Sequence, residues 1–147
     1  MAQALARGAC FHCNNLEYLL PNSISQVKNK FFICLSDFDL NLQKVPIAIC
    51  TSQDDHKGEK YCITLSSTLF PKATFVNLRF VQMMNFEFFK NRALAREVEK
   101  YGDIDQKDIE AIINATKIYP IPTDSKRREE WQAILLLIRP DLSIDLT

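Results

Sequence analysis

The first half of the chain alternates short apolar runs with polar connections. The runs are rich in aromatic and β-branched residues and have the length of strands. The connections carry Pro, Asn, Asp, Ser and Gly, which are typical of turns. The pattern predicts a mainly β domain in which about five strands form a small barrel or a coiled sheet. The predicted strands cover residues 9–13, 31–35, 45–50, 61–65 and 74–81.

After Asn85 the apolar spacing becomes helical in places, and we expect this segment to form a helix that ends at Gly102. The next segment, residues 103–118, has a clearer helical stripe of isoleucines. Asp105 is placed to cap its first turn, and the acidic Asp108 lies where it favours the helix N-terminus. The chain is therefore predicted to be α+β, with its helices appended to the sheet.

A final helix is predicted from Ser125 to the residue before Pro140. It follows a segment with two prolines, "YPIPTD", which breaks the preceding helix. Its apolar face is wide, which indicates burial against the protein's own core or against a second chain. The residues of the predicted stripe are Trp131, Ile134, Leu135 and Ile138, with Leu136 and Leu137 adding apolar surface on other faces.

The length of 147 residues fits one compact domain that can bury a core without disulfides or metal. The formal net charge is zero, which argues against a protein that wraps nucleic acid by bulk electrostatics. The charge is unevenly spread, because residues 61–100 carry six Lys or Arg against three acids, whereas residues 101–147 carry six against nine. We therefore expect any anion-binding surface before the C-terminal helices.

Neither a secretory signal nor a segment of roughly 20 apolar residues is visible, so we expect no membrane span. Without an export signal, the five cysteines are expected to be reduced thiols in the cytoplasm.

The stretch "ARGACFHCNN", residues 6–15, contains two cysteines three residues apart and suggests half of a zinc site. In a strand, however, Cys10 and Cys13 point to opposite faces and cannot share one ion. A second pair at similar spacing is also missing, and His56 is alone in a polar loop. The stretch is therefore best interpreted as the first strand, with cysteines that behave as small buried hydrophobes.

With the strands in order, the chain resembles the PemK/MazF family of toxin endoribonucleases. The motifs are Arg7-Gly8 before the first strand, a basic loop entering an apolar strand in "KNKFFICLS", a Thr-Ser pair after "VPIAIC", and "LFPK" before a long strand. The family closes this unit with a capped helix, which "IDQKDIEAII" matches. The resemblance covers about residues 7–118.

The resemblance implies an SH3-like β-barrel domain with a closing helix over residues 1–118, and a C-terminal helical extension over 119–147 that packs on this domain or on a partner. It also implies a homodimer whose partners are single-stranded RNA and an antitoxin protein. No cofactor and no metal ion are implied.

In this family RNA is cleaved by attack of the ribose 2′-hydroxyl on the adjacent phosphate, which leaves a cyclic phosphate. Such a reaction needs a cation, hydrogen-bond donors and a group that moves protons. The resemblance assigns these duties to an Arg at the start of the second strand and a Thr at the end of the third. The Thr position is Thr51, beside Ser52, and the Arg position falls on Lys30 or its neighbour Lys28.

Two positions depart from the family pattern. Lysine supplies a point charge but lacks the planar, two-pronged contact that arginine makes with phosphate. A basic position in the fifth strand is Gln82 here, with Arg79 nearby as a replacement. An inactive RNA- or protein-binding module on the same fold is therefore the alternative hypothesis, and a zinc-stabilised module is a third.

Overall fold

The computed structural model describes residues 5–15, 28–39, 41–52, 61–66 and 68–139, without the side chains of residues 15, 28 and 29. Six strands and three helices are present in these ranges, so the α+β prediction is confirmed. The five predicted strands all form. The elements are β1 (Ala9–Asn15), β2 (Lys28–Cys34), β3 (Lys44–Thr51), β4 (Cys62–Thr64), β5 (Phe75–Asn85), α1 (Phe86–Leu94), β6 (Val98–Asp103), α2 (Gln106–Thr116) and α3 (Ser125–Ile138).

The strands form one antiparallel sheet in the order β4-β5-β3-β2-β1-β6. Side chains alternate between its two faces, and each face carries its own buried cluster. We call them the α2–α3 face, which includes Cys10, and the α1 face, which includes Cys13. The prediction that these two cysteines point to opposite faces is confirmed.

The α2–α3 face is covered by the two C-terminal helices. Ile109 and Ile112 of α2 and Trp131 and Ile134 of α3 are buried against strand residues. The side chain of Asp124 caps α3 by accepting a hydrogen bond from the backbone N–H of Arg127 at 3.2 Å. The apolar stripe predicted for α3 is therefore buried against this chain's own core. Leu136, 39% exposed, lies on the outer side of the helix.

The α1 face is covered in part by α1. Phe89 is buried, and its ring makes an edge contact with Phe11 of β1, 5.1 Å between centroids. Asn85 caps the helix, because its side chain accepts a hydrogen bond from the backbone N–H of Glu87. The far end of this face, where β2 begins and β3 ends, lies beyond α1.

Of the two forms that the pattern left open, the sheet is not the closed SH3-like barrel that the family resemblance implies, because it is open, with β4 and β6 at its edges. β4 has only three residues, and these pair with β5. Side chains bridge this gap instead: the ring of Phe70 stacks on Tyr101 at 6.3 Å, and Leu69 lies against Gly102. The sheet is thus coiled, and in the described part of the chain its two edges are joined by side-chain packing and not by backbone hydrogen bonds.

The predicted continuation of the first helix to Gly102 is also wrong. α1 ends at Leu94, and Arg96 adopts a positive φ of 60°, a conformation that stops a right-handed helix. The segment Val98–Asp103 then pairs with β1. Strand pairing satisfies backbone groups of β1 that a helix would have left without partners.

No helix in the described part of the chain is long and apolar enough to cross a bilayer.

Candidate functional site

Lys30 and Thr51 lie on the neighbouring inner strands β2 and β3. β2 and β3 pair antiparallel as Cys34↔Ile47, Ile33↔Ala48 and Phe32↔Ile49. These pairs end at Phe32 and Ile49, and alternation along each strand places Lys30 and Thr51 on the same face as those two residues. Residues that face each other across an antiparallel pair share one face of the sheet. That face is the α1 face, to which Phe32 and Ile49 belong.

The neighbours of this pair are also fixed by hydrogen-bonded strands. Lys30 pairs with Cys13 of β1, and Thr51 pairs with Phe75 of β5. Both residues are half-buried, so each side chain is partly held by its surroundings while remaining open to solvent. The pair therefore has a rigid backbone on both sides.

The charge of Lys30 is held in an unfavourable environment. Burial lowers the pKa of its ammonium group, and the nearby Cys50 thiol opposes this shift only in part. Within the described ranges, no carboxylate forms an ion pair with Lys30. A partly desolvated cation that lacks a carboxylate is well suited to bind an anion from outside the protein.

Lys28 begins β2 opposite Asn15, and its side chain lies outside the described part of the chain. Ser52 follows Thr51 directly and is exposed just beyond the end of β3. Both positions are therefore at the same end of the sheet as Lys30 and Thr51.

Arg79 and Gln82 lie further away. Gln82 is opposite Ile47, four residues along β3 from Thr51, which corresponds to about 13 Å. Arg79 belongs to a bulge of β5, is exposed, and places its guanidinium over the ring of Phe80 at 5.7 Å. Gln82 is thus separated from Thr51 along β3, and Arg79 lies in the bulge between their levels, whereas Lys30 and Thr51 lie near the same end of β2 and β3.

The bulge in β5 contains a polar residue that the sequence analysis did not select. Ala48 pairs with Val81 and Cys50 with Val76, so that residues 77–80 face Ile49 alone. Asn77, in this bulge, is 2% exposed. Its signal in the sequence is a single amide side chain inside the apolar run "FVNLRFV".

The Arg7-Gly8 motif has a structural role at the opposite end of β2. The Arg7 guanidinium donates hydrogen bonds to the carbonyls of Leu35 and Ile138, and its backbone N–H donates to Asp37. A cleft of about 580 Å³ beside it is lined by residues that include Asp37 and Leu136 but neither Lys30 nor Thr51. Arg7 therefore joins the start of β1 to the end of α3.

The chain was compared with known proteins. No family model matches it, and no curated protein matches it either. Among solved structures, it is similar to an endoribonuclease in complex with its cognate antitoxin from a mycobacterial species, at a TM-score of 0.49 and 14% sequence identity. The similarity covers 78% of this chain and 98% of that one.

Proposed function

We propose that this protein is a toxin-type endoribonuclease that cleaves single-stranded RNA without a metal ion, with Lys30 and Thr51 at its reactive centre. The observation that supports the proposal is that the two residues lie near the same end of the adjacent antiparallel strands β2 and β3, with the cation half-buried. The motifs shared with the PemK/MazF family lead to the same two positions.

The reaction follows from what the two side chains offer. The ribose 2′-oxygen attacks phosphorus, the bond to the 5′-oxygen breaks, and the products are a 2′,3′-cyclic phosphate and a 5′-hydroxyl. The 2′-hydroxyl proton passes to solvent, and the departing 5′-oxygen takes a proton from solvent. Negative charge accumulates on the phosphoryl oxygens, where the Lys30 ammonium and the Thr51 hydroxyl donate hydrogen bonds.

A pH profile tests the role assigned to the Lys30 charge. The ammonium must be protonated to stabilise the phosphate, and burial lowers its pKa. RNA binding should therefore weaken with rising pH at values below the ordinary lysine pKa. Lys30→Arg should abolish this alkaline loss, because arginine stays charged throughout the accessible range.

Cleavage is tested with a labelled single-stranded RNA in the presence of a chelator. We expect cyclic phosphate ends, and no cleavage of a substrate with a 2′-deoxy sugar at the scissile position. Thr51→Val removes the hydroxyl at nearly constant shape, and we expect it to lower the rate by about 10²-fold. Thr51→Ser should retain activity, and Lys117→Ala, at the exposed C-terminal end of α2, is the charge-matched control for Lys30→Ala.

The proposal is overturned if the purified protein leaves RNA intact, or if Lys30→Ala and Thr51→Val cleave at the unchanged rate. Binding of RNA without cleavage by the unmodified protein would favour the inactive binding module. The observation that favours this inactive binding module is that lysine, Lys30 or Lys28, stands where the family has arginine.

The proposed toxin would be controlled by an antitoxin and would act as a homodimer, as the family resemblance implies. Leu136 and Leu137 on the outer side of α3 are apolar surface that a second chain can cover. Light scattering measures the molar mass of the purified protein and so shows whether it is a dimer. Co-expression with a candidate antitoxin should relieve the growth arrest that the protein alone is expected to cause.

A further inference from the structure

We propose that Asn77 is an additional substrate-binding residue of this site, whose side-chain Nδ2 donates a hydrogen bond to an oxygen of the RNA phosphodiester held by Lys30 and Thr51. This inference rests on the proposed function and adds a third contact to it. The amide is 98% buried on β5, since only 2% of the residue is exposed.

The two polar atoms of the Asn77 side chain have different environments. Its Oδ1 accepts a hydrogen bond from the backbone N–H of Arg79 at 3.0 Å, and this bond fixes which atom is the oxygen. Its Nδ2 is buried and has no hydrogen-bond partner among the residues that the structure describes. Buried donors are normally paired, because a missing bond costs the desolvation of the group. A ligand oxygen would supply the missing acceptor.

The position of Asn77 relates it to Thr51. Its neighbours Val76 and Leu78 both belong to the α2–α3 face, so Asn77 lies on the other face by alternation. That face also carries Thr51, which is paired with Phe75, two residues before Asn77. Asn77 thus lies at the start of the bulge, two residues along β5 from the partner of Thr51.

The hydrogen bond to Arg79 also orients the amide. Oδ1 is held by the backbone N–H of Arg79, two residues further along β5, so Nδ2 is the amide atom left to contact a ligand. β5 is an inner strand, because β4 and β3 flank it, so the donor is held without a mobile loop. Such a preorganised donor needs little rearrangement to contact a bound oxygen.

The test compares binding with stability in two variants. Asn77→Leu removes both polar atoms, whereas Asn77→Asp keeps an acceptor for Arg79 and loses the donor. Affinity is measured by fluorescence anisotropy with a single-stranded RNA made uncleavable by 2′-deoxy sugars, and stability by thermal melting. Asn114→Leu, an exposed amide on α2, is the control.

We expect both variants to bind the RNA roughly ten- to a hundredfold more weakly, as for a lost hydrogen bond to a charged group. The melting temperature should fall for both variants, because Asn77→Leu loses the acceptor for Arg79 and Asn77→Asp buries a carboxylate, so the binding loss is judged under conditions in which each variant is folded. In the parent protein, the side-chain amide signal of Asn77 should shift in NMR spectra when this RNA is added. That measurement needs no variant and remains informative if a variant fails to fold.

The outcomes separate the two proposals. If the parent binds and cleaves RNA but the variants bind equally well and the amide signal stays fixed, the role of Asn77 is overturned and the proposed function stands. If the parent neither binds nor cleaves RNA, both are overturned. Weaker binding by the variants in a parent that binds but does not cleave would support the role of Asn77 and overturn the catalytic proposal alone.

Discussion

The carboxylate of Asp108 in α2 accepts hydrogen bonds from the backbone N–H of Ser66, at 2.9 and 3.1 Å, and from its hydroxyl, at 2.7 Å. Asp108 is buried, and Ser66 lies two residues after the end of β4. The acid predicted to favour the helix N-terminus thus also ties α2 to the short edge strand. Asp105 occupies the N-cap position, but its side chain makes no capping hydrogen bond.

Removal of the Asp108 carboxylate should destabilise the protein. Asp108→Ala leaves the backbone N–H of Ser66 without its acceptor, and we expect a loss of about 1–3 kcal/mol in the free energy of unfolding, measured in urea. Ser66→Ala keeps that backbone bond and should cost less. The control Asp105→Ala loses no hydrogen bond and should change stability by less than about 0.5 kcal/mol. Equal losses at the two aspartates would contradict this account.

Lys30→Met should make the folded protein more stable at neutral pH. Burial lowers the pKa of Lys30 in the folded state, so the folded protein binds its proton less tightly than the unfolded chain does. The stability of the parent therefore rises as pH increases from the folded pKa to the unfolded one. The advantage of the methionine variant should shrink over this alkaline window. Denaturation across that range checks it, with Lys117→Met expected to show no such trend.

Gly8→Ala should cost more stability than Gly102→Ala. At both positions an added Cβ would lie 2.6 Å from a side-chain methyl carbon, of Ile109 and Leu69 respectively. Only Gly8 also has a positive φ, 92°, which costs an L-residue about 1–2 kcal/mol. Thermal melting of the two variants measures the difference. A smaller loss at Gly8 would show that contact with Leu69 dominates.

The cysteines should differ sharply in reactivity. Burial raises the pKa of the Cys10 and Cys34 thiols to about 12, so the reactive thiolate is almost absent near pH 8. Cys62 is half-buried and should react first with a thiol reagent. Labelling followed by mass spectrometry of peptides locates the modified residue. Rapid labelling of Cys10 in the native protein would contradict the buried-strand description.

The alternation of apolar and polar residues was sufficient to predict the inner strands and the opposite faces of Cys10 and Cys13. The register between β2 and β3 could not be read from that pattern, because it depends on contacts across the chain. β6 was missed for a related reason. Its sequence "VEKYGD" has only one fully buried residue, Val98, and its strand form depends on pairing with β1.

Asn77 shows a signal that sequence reasoning can use. An amide inside an apolar strand needs a partner for each of its polar atoms. The sequence alone could not show that Oδ1 accepts a hydrogen bond from the backbone N–H of Arg79, whereas Nδ2 has no partner among the described residues. The bulge that creates this arrangement follows from the pairing of β5 with β3.

The helix α3 has a consequence for how the protein is made. Trp131, Ile134 and Ile138 lie in the same cluster as Cys10 of the first strand. During synthesis from the N-terminus, the strands leave the ribosome before this helix. The core therefore stays incomplete until α3 has been made, and chains terminated before it would expose an apolar surface to chaperones and proteases.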